Sequence, residues 1–152
     1  MRKAIATALA ALALAGCGGG GSKAGPAPTK AQFSRQMGTT CSRAYAKLAV
    51  AGRKFFKSGR ATDRQFVERK VLPILGGELL GELRRLTPPK GDRETIGAIL
   101  AGGDNGLARL RQRPRLLRAA AGSASDPFRD FSRLARGYGL KQCAVKRRLG
   151  AA

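Results

Sequence analysis

Ser125-Asp126-Pro127-Phe128-Arg129-Asp130-Phe131-Ser132-Arg133-Leu134-Ala135-Arg136-Gly137-Tyr138-Gly139-Leu140 has the signals of a complete helix, start and stop included. Ser125 is placed to cap it, and Asp126 and Pro127 suit a first turn, where proline costs no hydrogen bond. Phe128, Phe131, Leu134, Ala135 and Tyr138 recur at three- and four-residue steps and make one apolar side. Gly139 suits a left-handed stop, with Leu140 as the hydrophobic residue behind it. The same period governs the chain before it, so the expected fold class is all-α. No stretch alternates with period two for long enough to argue for a sheet.

Working back from this helix, Thr29-x-x-Gln32 has capping-box spacing and opens a first helix that ends near Gly59. Its apolar stripe is Phe33, Met37, Cys41, Ala44, Leu48 and Phe55. Ser34, Ser42, Ala49 and Gly52 form a small-residue flank suited to the close approach of another helix. Thr62-x-x-Gln65 repeats the capping signal, and Phe66, Val67, Val71, Ile74, Leu75, Leu79, Leu83 and Leu86 give the second helix its apolar face. Pro73 lies inside it and predicts a kink or a break, with Gly76-Gly77 weakening the next turn. Thr87-Pro88-Pro89 ends it.

A third helix starts at Gly91-Asp92 and runs through Ile96, Ile99 and Leu100. It stops either at Gly102-Gly103 or, through Leu107 and Leu110, at Pro114. Leu116-Leu117 is suited to fold back onto the core, and Gly122 to Ser125 is a loop. About four helices, one kinked at Pro73 and the first tied to the last by the disulfide argued below, predict a small antiparallel bundle. About 120 residues suffice for one domain with a real core.

The start of the chain has a different character. Arg2 and Lys3 precede an apolar stretch from Ala4 to Ala15, followed by Leu14-Ala15-Gly16-Cys17. This order of charge, apolar run and small residues is that of a secretory signal. With the cysteine at its end it resembles a bacterial lipoprotein signal; an ordinary signal peptide or an uncleaved anchor is the plainer alternative. The apolar run is shorter than the ~20 residues that span a bilayer. The resemblance implies cleavage before Cys17, lipid on Cys17, and a protein held on the extracytoplasmic side of the cell membrane. Two or more acyl chains anchor stably, whereas one does so marginally. The expected organisation is a signal peptide at 1–16, a lipidated cysteine with a flexible Gly/Pro tether at 17–29, and a helical domain at 30–149. The glycine-rich half of the tether is flexible and the proline-containing half stiffer, with a reach of roughly 20 Å.

Lipid on Cys17 removes one of three cysteines and leaves Cys41 and Cys143 in a compartment that keeps disulfides. A Cys41–Cys143 bridge joining the first helix to the last is the expectation; two buried free thiols are the alternative. A second resemblance accords with the bridge. A helix bearing Cys41, a proline-broken helix ending Leu86-Thr87-Pro88-Pro89, and Tyr138-Gly139-Leu140-Lys141-Gln142-Cys143 together look like small exported helical lipoproteins of GC-rich bacteria. That group implies a fold class and no activity.

The 152 residues carry 30 basic and 9 acidic side chains, a net charge of +21. Loss of Arg2 and Lys3 with the signal leaves +19. Every acid lies between Asp63 and Asp130, so 23–62, 105–125 and 131–152 are basic without interruption. Such a chain attracts polyanions: lipid head groups, anionic wall polymers or nucleic acid. The plainer account is a solvated surface and a composition rich in arginine. Arg109, Arg111, Arg113, Arg115 and Arg118 form the densest run and are the anion-binding candidates, because guanidinium forks match phosphate and carboxylate oxygens. A solvated helix end also accounts for them. Nucleic acid is disfavoured by the compartment and by the scarcity of aromatic residues outside the core faces.

Without histidine no Ser-His-Asp or Cys-His arrangement exists. No phosphate-binding glycine loop has the required spacing. No metal site and no cofactor are expected. Glu78 and Glu82, one helical turn apart with Arg85 in reach, are the nearest to an acid–base pair, and nothing else converges on them. The expectation is a non-enzymatic, membrane-anchored basic module that contacts anionic membrane, wall polymer or a protein partner. The alternative is a small-ligand carrier with a pocket at the Pro73 break, lined by Phe66, Ile74 and Leu75.

Overall fold

The computed structural model describes residues 27–145 apart from positions 58 and 60. Cys17, most of the tether and the basic Lys146-Arg147-Arg148 tail lie outside the described residues.

Helix α1 spans Lys30–Phe56 and opens on the predicted capping box: Thr29 Oγ1 accepts from the Gln32 amide, and Gln32 Oε1 accepts from the Thr29 amide at 2.9 Å. Two of its four orphan donors are thereby satisfied. Phe33, Met37, Cys41, Ala44 and Leu48 are buried, and Phe55 is partly buried. The small-residue flank receives a helix only at Gly52. Ser42 and Ala49 face solvent, because the stripe next to them already meets the second helix; Gly52 alone is buried there, against Phe66.

The second rod begins with α2, Asp63–Phe66, on another capping box at Thr62 and Gln65. It continues without a gap as a π-helical segment, Val67–Leu80, and closes as α3, Gly81–Arg85. Pro73 therefore does not break the rod. Its ring lies on the solvent side. Widening to i→i+5 hydrogen bonding carries the chain past a residue that has no N–H to donate and would clash with the carbonyl four residues back. Gly76 and Gly77 remain inside the same segment.

Helix α4 spans Arg93–Gln112 and passes straight through Gly102-Gly103, taking the longer of the two predicted courses. It does so because those glycines, with Gly106, lie in close contacts: Gly102 against the Phe131 backbone, Gly103 against Leu80 and Phe131, and Gly106 against Pro127 and Phe128. A Cβ on Gly106 would lie 2.6 Å from Phe128 Cδ1 and 2.8 Å from the Pro127 carbonyl oxygen. The lost helix propensity of glycine, about 1 kcal/mol each, is offset by this approach. After Pro114 a 3₁₀ turn, Pro114–Arg118, tucks Leu117 into the core as expected.

Helix α5 spans Arg129–Tyr138, and its N-cap, Phe128, lies three residues beyond the predicted Ser125. Ser125 is exposed, and no side chain caps this helix. Asp126 organises the approach instead. Its carboxylate is buried and accepts from the amides of Gly122 at 2.6 Å and Phe128 at 2.9 Å, which holds 122–128 as a turn in front of the helix. The C-terminus follows the expected pattern. Gly139 takes φ 102°, and the Leu140 and Gly139 amides reach back to the carbonyls of Ala135 and Arg136.

The rods run up, down, up and down as an antiparallel bundle: α1 packs on the π segment, the π segment on α4, and α4 on α5. Among the described residues there is no strand. Cys41 and Cys143 form a disulfide with Cα atoms 5.0 Å apart, so α1 is tied to the turn that follows α5 rather than to α5 itself. Residues 30–145 close a shared apolar core that contains both sulfurs.

Candidate functional site

Five arginines of the run occupy the end of α4 and the 3₁₀ turn. The structure divides them by partner. Arg109 donates to the main-chain oxygen of Asp126 at 3.2 Å and helps hold the 122–128 turn. Arg118 pairs with Asp63 of α2, with Nε 2.8 Å from Oδ2, and this hydrogen bond raises its pKa above the ordinary value. Arg111, Arg113 and Arg115 are exposed. The run is therefore not one anion cradle: two members are spent on the fold and three point outward.

What the fold adds is a neighbour. The 3₁₀ turn rests on α2, and α2 is locked to the end of α1 by aromatic packing. Phe66 lies 5.3 Å from Phe55 and 5.0 Å from Phe56 between ring centroids. The exposed Arg53 and Lys54 of α1, Lys57 at its C-cap and Arg64 of α2 thus share one end of the bundle with Arg113 and Arg115. Two acid-free stretches, far apart in sequence, meet there. Two acids stand near this end: Asp63, half-buried and covered by Arg118, and the exposed Glu68 one turn further along the second rod. The signal for this grouping was in the sequence only as three separate basic runs; their juxtaposition needs the up-down topology.

Glu78 and Glu82 are not paired with Arg85. Each meets α1 across the helix interface, Glu78 with Lys47 and Glu82 with Arg43. All four side chains are 40% or more exposed, so these are solvated cross-helix ion pairs. Their carboxylates are occupied by cations, and no further functional group converges on them.

Phe66, Ile74 and Leu75, the candidate pocket lining, are each at most 4% exposed. Only Leu75 borders the neighbouring void, which Tyr45, Leu79, Leu80, Gly103, Phe128 and Phe131 complete; at about 10 Å³ it has room for one water at most. That void falls far short of the ~300 Å³ of a small-molecule site. Its apolar lining, like the exposed position of Pro73, gives no polar group to orient a ligand.

Two tyrosines hold the lower part of the bundle. Tyr45 of α1 donates to the Cys143 carbonyl, and burial, with a smaller contribution from the Asp126 charge, pushes its phenol well above the usual range. Tyr138 donates to Asp92 just before α4, and burial followed by that hydrogen bond pushes its phenol up likewise. Lys30 stacks over the Tyr138 ring at 4.3 Å. Among the described residues no group of three His, Cys, Asp or Glu side chains is placed to hold a metal ion, and no helix is long and apolar enough to cross a membrane.

Comparison with known proteins finds no matching family, no matching curated protein and no matching solved structure.

Proposed function

We propose that this chain is a membrane-anchored envelope lipoprotein without catalytic activity, a basic helical module that works by contact with anionic partners. The observation that carries the reading is the pairing of a lipobox-like Leu14-Ala15-Gly16-Cys17 with a mature net charge of +19. The folded domain supports it in three ways. Its cations stand mostly on the surface, its exposed acids are largely engaged by neighbouring cations or Tyr138, and its core is closed rather than hollow. The disulfide fits an exported protein. A surface of this kind near an anionic bilayer gains about 1 kcal/mol per basic residue.

Two measurements test the reading. Mass spectrometry of the mature N-terminus should find residue 17 first and acylated; an unprocessed chain beginning at Met1 without fatty acid defeats the anchor. A version lacking residues 1–17 should sediment with phosphatidylglycerol-containing vesicles in preference to phosphatidylcholine vesicles, and salt should release it. Equal partition between the two defeats the contact.

A further inference from the structure

The end of the bundle made by the last turns of α1, by α2 and by the 3₁₀ turn combines exposed cations with exposed apolar surface. Val50 is the exposed large hydrophobic side chain of the described residues, at 43%. Arg53, Lys54 and Lys57 follow it at three, four and seven residues, hence on the same face of α1. Phe55 and Phe56, turned from that face toward Phe66, and Leu116 of the 3₁₀ turn are partly exposed at the same end. Arg64 and Arg115 extend the basic ground across α2 and the 3₁₀ turn.

We infer that this end is a docking face for an anionic phospholipid bilayer. Charge alone would suit any polyanion. The apolar component decides between them: exposed Val50 and the part-exposed Phe55, Phe56 and Leu116 at the same end as long cationic side chains match the boundary between head groups and acyl chains, where Lys and Arg stems lie along apolar surface and their charges reach phosphate. A hydrated, flexible polymer gains little from the rings. The inference rests on the polyanion reading above and names its partner and its location.

The geometry permits contact with the membrane that carries the anchor. Helix α1, 27 residues long, sets this end about 40 Å from Lys30. The thirteen residues from Cys17 to Thr29 have a contour of up to about 45 Å. A bundle lying along the bilayer satisfies both lengths.

The test uses the chain lacking residues 1–17, whose core lies wholly downstream. The chain contains no tryptophan, so Val50→Trp supplies a single reporter at an exposed position. Its emission should shift to the blue on phosphatidylglycerol vesicles and stay unchanged with soluble polyphosphate. In parallel, the triple change Lys54→Glu, Lys57→Glu, Arg115→Glu should weaken vesicle binding at least about tenfold, as loss of several surface cations implies. The triple change Arg35→Glu, Arg93→Glu, Arg136→Glu, on exposed positions near the opposite end and of equal charge, should weaken it less than about threefold. Circular dichroism confirms that each variant is folded.

Equal losses in the two triple variants would overturn the docking face while leaving the polyanion reading intact. So would an equal blue shift with polyphosphate, which would point to a soluble polymer. Absence of vesicle binding by the parent chain defeats the polyanion reading itself.

Discussion

The Tyr45 hydroxyl donates to the carbonyl oxygen of Cys143 at 2.6 Å, across 98 residues of sequence. One turn before Tyr45 on the same helix, Cys41 is bonded to the same Cys143 through sulfur. The C-terminal turn is therefore gripped twice by α1, once covalently and once through its main chain. Tyr45→Phe should lower stability by about 1 kcal/mol, read as a shift in urea midpoint, because it orphans a shielded carbonyl. The phenol also sets a pH limit. Its folded value lies above the ordinary 10.0, so the stabilisation is complete below pH 10 and is lost as pH rises beyond it. Tyr45→Phe should flatten that alkaline loss.

Removing the disulfide should be costly. Cys41 and Cys143 are 102 residues apart, and the chain-entropy account assigns a loop of that size up to about 4.7 kcal/mol. Cys41→Ser with Cys143→Ser should unfold at markedly lower temperature than the parent. A reducing agent should lower the parent's midpoint towards that of the variant and leave the variant unmoved.

Two glycines of α4 should respond oppositely to alanine. Gly97 has nothing within 4 Å of an added Cβ, so Gly97→Ala should gain up to about 1 kcal/mol from helix propensity. Gly106 would drive the new methyl into Phe128 and the Pro127 carbonyl, so Gly106→Ala should cost about 1–3 kcal/mol. Thermal melts of the pair compare the two directly.

Asp126→Asn probes the turn before α5. The carboxylate accepts two backbone N–H groups, whereas an amide offers one oxygen and turns an N–H₂ toward a donor. The expected loss is about 1–3 kcal/mol, with amide exchange accelerated first at Gly122 and Phe128. Unchanged exchange at both amides would contradict the role.

How far the sequence could be read depended on the range of the interaction. The capping boxes at Thr29 and Thr62, the Gly139 stop and the apolar stripes are local patterns, and all are found where they were expected. The start of α5 is ambiguous in the sequence because Ser125 and Asp126 are both good capping residues. Which of them acts depends on the turn that Asp126 builds with Gly122, and on Arg109 arriving from another helix. A proline inside a helical pattern predicts a kink or a break, and of the two Pro73 does not produce the break. Packing of Val71, Ile74 and Leu75 on both neighbours, with the ring turned to solvent, holds the rod together in a wider register.

Glu78 and Glu82 likewise took partners from α1 rather than from their own helix, since cross-helix distances are invisible in a linear pattern. The basic end has the same origin. Its members are plain in the composition, but Arg53, Lys54 and Lys57 stand about 60 positions from Arg113 and Arg115. Periodicity and caps were enough to establish helices, a bundle and an excess of positive charge, because those follow from neighbours along the chain and from total counts. The meeting of two basic runs around Phe55 and Phe56, the ion pairs of the two glutamates and the double grip on Cys143 arose only on folding, because each depends on which helix ends the antiparallel packing brings side by side.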